Sequence, residues 1–256
     1  MNLDNDIALA HRLADAAGVV IRPHFRALAA VETKADTSPV TVADRAAEAA
    51  IRAILQVERP EDGIIGEEYG EERAGSRRLW VIDPIDGTRA FIAGRPLFGT
   101  LISLLDDGVP VLGVIDQCIA HDRWVGAAGT PTALNGAVIR SRKCAHVHRA
   151  HLGTTSPDIF GSDAAAFQRV RAAAGDTIYG GDNHNYAMIA TGCLDIVVEN
   201  GLQLYDWAAL VPVVEGAGGA MTDWTGAPLR PGSNGQVIAV GDPALLPEII
   251  ALLGAV

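Results

Sequence analysis

The segment LWVIDPIDGTRAF (79–91) sets the tightest limit on how this chain can fold. A strand-like apolar run delivers two aspartates three positions apart, Asp83 and Asp86, with Pro84 between them and Gly87 and Thr88 directly after. Pro84 fixes its own φ and carries no N–H, so it can hold a turn in which Asp83, Asp86 and the Ile85 carbonyl converge on hard cations. Gly87 and Thr88 then open a short helix, whose free N–H groups and positive dipole end suit a phosphate. The plainer reading of the same residues is a strand-to-helix turn with Asp86 as N-cap.

Two further acidic segments weigh against the plain reading. An apolar strand in GIIGEEYGEE (63–72) ends in Glu67 and Glu68, and Asp206 in LYDWAAL (204–210) stands between aromatic residues at the start of an apolar helix. Each alone is explained by a solvated loop or a helix cap. Together with the DPIDGT turn they have one economical joint explanation. Carboxylates gathered without cations repel and resist ionisation, whereas divalent metals reverse that cost.

The charge balance fits a metal. Acids outnumber bases 31 to 20 for a net charge of −11, so no nucleic-acid partner is expected, and an anionic substrate would need a cation other than surface Lys and Arg. No run of about 18 apolar residues predicts a membrane span. Asp4 and Asp6 fall where a secretory signal is basic, which predicts a cytoplasmic address. Cys118, Cys144 and Cys193 lack CxxC spacing and read as neutral thiols.

Apolar spacing predicts a long helix from Leu3 to about Leu28, bent near Pro23, and a second helix capped by Thr41 with Ala47, Ala50, Ile51, Ile54 and Leu55 on its apolar face. Strands are expected at 63–68 and 79–83, then an antiparallel meander at 98–105, 109–117 and 123–128. The second half alternates: helix 163–174, strand 176–179, helix 184–191, strand 194–199, helix 206–216, strands 219–223 and 236–240, and a final helix 244–253. We therefore expect an N-terminal α+β lobe over 1–140 and a C-terminal α/β lobe over 141–256.

GEE at 66–68, DPIDGT at 83–88, KADTSPVTVAD at 34–44 and LYDWAAL with EGAGGAMTDWTG (215–226) resemble the inositol monophosphatase family, in order and across nearly the whole chain. RAFIAGRPLFGTLISLL (89–105) and GGDNHNYAMIATG (180–192) look like its histidinol-phosphatase branch. The resemblance implies an α/β fold, an α-β-α-β-α layered sandwich, usually a homodimer, and a Mg²⁺-dependent phosphomonoesterase with two or three ions per site. By resemblance, Glu67, Asp83 and the Ile85 carbonyl match ligands of a first metal, and Asp83, Asp86 and Asp206 those of a second. Thr88 and Glu67 match the residues that orient the attacking water, Asp44 a residue that hydrogen-bonds the threonine, and Lys34 falls in a mobile loop over the site. Asp44 also reads as an ordinary first-turn acid, and Lys34 as a solvated lysine.

The chemistry expected is in-line attack by a metal-activated water on phosphorus, with Gly87 and Thr88 N–H groups holding equatorial oxygens and no covalent phosphoenzyme. Glu199 matches a position that contacts the non-phosphate part of the substrate. Asp182 replaces small neutral residues of the inositol branch, although it also reads as a helix cap. Asp182, Glu199 and Asp86 around the leaving group favour a cationic alcohol such as histidinol. Inositol-1-phosphatase, nucleotide 3′-phosphatase and a non-catalytic phospholigand-binding protein are the alternatives. GAGGAM (216–221) reads as a helix ending in glycines, HVHRAH (146–151) as a solvated loop rather than a zinc site, Trp80, Trp207 and Trp224 as packing residues, and His184 as a surface imidazole.

Overall fold

The computed structural model describes residues 3–27, 31–33 and 39–255, and side chains for 3–27 and 42–255. In chain order the elements are α1 (Asp4–Ile21) with a 3₁₀ turn over Arg22–His24, β1 (Val31–Thr33), β2 (Pro39–Thr41), α2 (Val42–Glu58), β3 (Gly63–Gly66), β4 (Gly70–Glu72), β5 (Arg78–Asp86) and α3 (Thr88–Ile92). A meander of β6 (Gly99–Asp106), β7 (Val109–Gln117), β8 (Asp122–Ala127), β9 (Thr130–Leu134) and β10 (Ala137–Val138) follows. Then come β11 (His151–Thr154), α4 (Ala164–Ala173), β12 (Asp176–Tyr179), α5 (Asn183–Thr191), β13 (Ile196–Glu199), α6 (Leu204–Trp207), α7 (Leu210–Gly216), β14 (Ala220–Thr222), β15 (Val237–Val240) and α8 (Leu246–Gly254).

Two sheets result. An eight-stranded sheet has the order β10-β9-β8-β7-β6-β5-β3-β4, antiparallel except for the parallel β3–β5 pair. A five-stranded mixed sheet has the order β12-β11-β13-β15-β14, with β11 parallel to both neighbours. Alternation along β5 shows how the layers arise, because successive side chains face opposite sides of a sheet. Trp80 and Ile82 pack under α1 and α2 with Leu13 and Ile51, whereas Leu79 and Val81 face a middle layer with Tyr186, Ile189 and Val213. The second sheet repeats the scheme: Val197 and Ala239 join the middle layer, and Ile196 and Ile238 join Phe167 and Ile249 of α4 and α8. The architecture is an α-β-α-β-α sandwich.

The differences from the expected layout have local causes. The first helix stops at Ile21, since Pro23 turns the chain into a 3₁₀ turn and Phe25 is already extended at ψ 124°. Ala50 and Ile54 are only partly buried, while the polar Asp44, Glu48 and Arg52 of α2 are buried. The single helix expected over 206–216 is two, α6 and α7, separated at 208–209. There α7 lies backbone-close to the first sheet: a Cβ on Gly113 would meet Ala209, and one on Gly126 would meet Pro212. β11 was not anticipated because its centre is Gly153, where a Cβ would meet Leu194 Cδ2 at 2.6 Å, so the strand shows no apolar run.

Candidate active site

β5 does not end before its acids. It continues to Asp86 through a β-bulge, with Asp83 paired to Leu101 and Asp86 to Gly99, so three steps on β5 match two on β6. In a regular strand residues three apart face opposite sides; one extra residue restores them to the same side. Pro84 suits the bulge, because an unpaired position needs no N–H. The Asp83 carboxylate accepts the Ile85 N–H at 3.1 Å, and Thr100 Oγ1 donates to the Pro84 carbonyl at 2.8 Å, fixing the distortion. Gly87 follows at φ 87°, a left-handed conformation that favours glycine, and a Cβ there would sit 3.1 Å from Asp182 Oδ2.

The bulge and the short helix α6 bring Asp83, Asp86 and Asp206 together, with one carboxylate oxygen of each within 4.8 Å of the others. Asp206 also accepts the Gln203 N–H at 2.6 Å, so it is a capping-box residue and a member of the cluster at once. Burial, with Glu67, Asp86, Asp206 and Asp44 adding repulsion, pushes Asp83 well above the usual carboxylate range. Burial, then Asp182 and Asp206, does the same to Asp86. Asp206 rises to about 7, first by burial and then by repulsion from Glu67 and Glu199. A Mg²⁺-type cation fits this donor set: three hard anionic oxygens that the protein alone leaves mutually repulsive.

Glu67 stands at the turn after β3, tied by its N–H to the Ile82 carbonyl at 3.2 Å. Its charge acts on both Asp83 and Asp206. Glu68 instead pairs with Arg45 at 3.8 Å. Asp44 is the buried third residue of α2. Thr88 Oγ1 donates to the Ile85 carbonyl at 3.1 Å. Lys34 lies outside the described residues.

The cluster opens on a cleft walled by Asp86, Asp182, Tyr186, Glu199 and Asp206 among others. Asp182 occupies the N-cap position of α5 at φ 46° without a side-chain capping bond, so the cap reading fails. Burial raises its pKa, opposed by Arg89, Arg95 and a hydrogen bond with Thr155. Glu199, 3% exposed, accepts from Thr155 N at 2.8 Å, Thr155 Oγ1 at 2.5 Å and the Tyr186 hydroxyl at 3.0 Å. Burial nonetheless pushes it to about 7.

Sequence reasoning missed Asn183, which donates to Asp86 Oδ2 from both N and Nδ2 at 2.7 Å and holds that carboxylate against α5. Its one signal was Gly99 of the FGT triplet, where a Cβ would meet Asn183 Oδ1 at 2.6 Å. His184 is no surface imidazole; it packs edge-on to Trp124, with ring centroids 6.4 Å apart. His146 and His148 stack on each other, and His151 pairs with Asp176 at 2.6 Å, a contact the sequence did not suggest. Trp80, Trp207 and Trp224 are buried.

Residues 2–256 match the sequence model of the inositol monophosphatase family. The chain belongs to the inositol monophosphatase family. It is 49% identical over 229 residues to the bifunctional phosphatase IMPL2 of Arabidopsis thaliana, covering 88% of this chain and 66% of that protein's length. It is 36% identical to the histidinol-phosphatase of Mycobacterium tuberculosis over 98% of both chains. An inositol monophosphatase structure from Zymomonas mobilis superposes with a TM-score of 0.93 at 53% identity, covering all of both chains. Inositol monophosphatase family members are phosphatases of small phosphate monoesters that use Mg²⁺. No helix among the described residues is long and apolar enough to cross a membrane.

Proposed function

We propose that this family member is a histidinol-phosphate phosphatase, converting L-histidinol phosphate and water to L-histidinol and phosphate. The observation that carries the reading is the cleft itself, in which Asp86 and Asp206 of the Asp83–Asp86–Asp206 cluster share one opening with two further acids, Asp182 and Glu199. Arg89, Arg95 and a hydrogen bond with Thr155 act against the effect of burial on Asp182, which lines the cleft where the amine or imidazole of histidinol would lie. The identity to histidinol-phosphatases supports the same substrate.

In this proposal Glu67, Asp83, the Ile85 carbonyl, Asp86 and Asp206 hold the cations. Bound there, Mg²⁺ supplies Lewis acidity that lowers the pKa of water and offsets charge on the phosphoryl and leaving oxygens. Thr88 Oγ1 donates its hydrogen bond to the Ile85 carbonyl, so the lone pairs of its oxygen are left to accept from an attacking water that Glu67 also orients. Gly87 and Thr88 N–H groups position the phosphoryl oxygens, and the charge of Asp44 acts on Asp83. On the same reading the enzyme is a cytoplasmic homodimer acting late in histidine synthesis.

Inositol 1-phosphate is the competing substrate, favoured by the likeness to the Zymomonas mobilis inositol monophosphatase. A panel of phosphomonoesters assayed with Mg²⁺ separates the two. Histidinol phosphate should show the highest kcat/KM. Turnover no faster than inositol 1-phosphate or an adenosine bisphosphate refutes the substrate, and no turnover of any ester refutes the enzyme.

A further inference from the structure

Glu48 lies in the middle of α2, and its carboxylate is 0% exposed. A buried charge is tolerated only with an opposite charge and filled hydrogen bonds. Glu48 has both. Its Oε2 accepts the Glu68 N–H at 2.7 Å, and its Oε1 accepts the Tyr69 N–H at 3.2 Å and Arg52 Nε at 2.7 Å. Arg52, one helical turn on, also donates to the Gly70 carbonyl and lies 3.6 Å from Glu72. A single buried ion pair thus takes up backbone groups of three successive residues, 68 to 70, in the turn that begins with Glu67. Gly66 completes the fit: a Cβ there would collide with the Glu48 carboxylate, so the end of β3 lies directly on it. An apolar pair could fill the same volume but could accept neither N–H.

We infer that the Glu48–Arg52 pair is a positioning device for the metal site, fixing the turn so that the Glu67 carboxylate stays beside Asp83 and Asp206. This rests on the metal reading above. Neither residue belongs to the carboxylate cluster, so both act through Glu67. Loosening the turn lowers the fraction of molecules with Glu67 in place, which weakens metal binding and leaves the chemistry of the loaded site intact. Supporting residues behind metal ligands typically change affinity about 10–100-fold when altered.

The test is calorimetric titration of the metal-stripped protein with Mg²⁺, paired with Mg²⁺ titration of turnover. Glu48→Gln should bind Mg²⁺ about 10–100-fold more weakly. Its half-saturating Mg²⁺ for turnover should rise by the same factor, with kcat at saturating Mg²⁺ within about threefold of the wild type. Ile51→Val, a buried change on the same helix, should lower the melting temperature without moving Mg²⁺ affinity. The proposal is overturned if Glu48→Gln folds and binds Mg²⁺ like the wild type, or if Ile51→Val weakens binding as much. Should Glu48→Gln fail to fold, Arg52→Lys decides, since it keeps the charge and loses the fork: weaker Mg²⁺ binding supports the device and unchanged binding overturns it. Asp83→Asn tells the two failures apart. If it binds Mg²⁺ as tightly as the wild type, the metal reading itself falls; if it loses binding while Glu48→Gln does not, only the positioning role falls.

Discussion

Replacing Asp83 with Asn should invert the stability order of the protein with and without Mg²⁺. Two unit charges 4.8 Å apart repel by about 3.5 kcal/mol at an effective dielectric of about 20, and the three carboxylates offer oxygens at or inside that distance. The metal-free protein escapes part of this by retaining protons, which is the meaning of the raised pKa values of Asp83, Asp86 and Asp206. Carboxylates with folded pKa values above their unfolded ones destabilise the fold as pH rises through the shifted range. Asn keeps the oxygen that accepts the Ile85 N–H and removes the charge. Asp83→Asn in EDTA at pH 8.5 should therefore be more stable than the wild type by about 0.5–2 kcal/mol, the usual gain of a single stabilising substitution. Each kcal/mol corresponds to about 2–4 °C in melting temperature. At pH 5, where the metal-free wild type retains more of its protons than at pH 8.5, the gap should shrink. In Mg²⁺ at about 100 times its dissociation constant the wild type gains about 2.7 kcal/mol and the variant little. Differential scanning fluorimetry across pH, with EDTA or Mg²⁺, reads all of this. A variant less stable than the wild type in EDTA at pH 8.5, or one that keeps the full Mg²⁺ shift, refutes the reasoning.

Three other outcomes follow from single residues. Gly66→Ala places a methyl group on the Glu48 carboxylate and should cost about 2–4 kcal/mol in urea unfolding while weakening Mg²⁺ activation; a variant with wild-type values of both contradicts the close packing. Glu199, raised from 4.5 to about 7 in the fold, makes metal-free stability fall by about 3 kcal/mol as pH rises from 4.5 to 7; Glu199→Gln should flatten that slope, and an unchanged slope places the titration elsewhere. Asp195, fully buried, accepts from Nε of the partly exposed Arg142 at 2.7 Å and His151 N at 2.7 Å, so Asp195→Ala should lose about 1–3 kcal/mol of stability, and a loss under about 0.5 kcal/mol shows these bonds to be dispensable.

How much of this was legible in the sequence depends on whether a residue's role is set by its neighbours in the chain. The meander β6 to β8 and the later alternation of α4, β12, α5 and β13 announce themselves by periodicity. The acids of DPIDGT, GEE and LYDW were legible as residue types, but their convergence depends on a bulge, and a bulge leaves no periodic trace beyond a proline and a turn-prone aspartate. Asn183 reaches Asp86 across 97 positions. Glu48 and Arg52 lie among the polar residues of α2, which the apolar spacing leaves unmarked, and the turn packed above them buries them. β11 was hidden for the converse reason: close packing at Gly153 replaced the bulky residues by which strands are recognised.

The central claim is that carboxylates from β5 and α6 form one divalent-cation site. Crystals grown with Mn²⁺ and measured at its absorption edge test it most directly. The account predicts anomalous peaks about 2.0–2.3 Å from oxygens of Asp83, Asp86 and Asp206. A map with no peak between these three side chains, at saturating Mn²⁺, contradicts it.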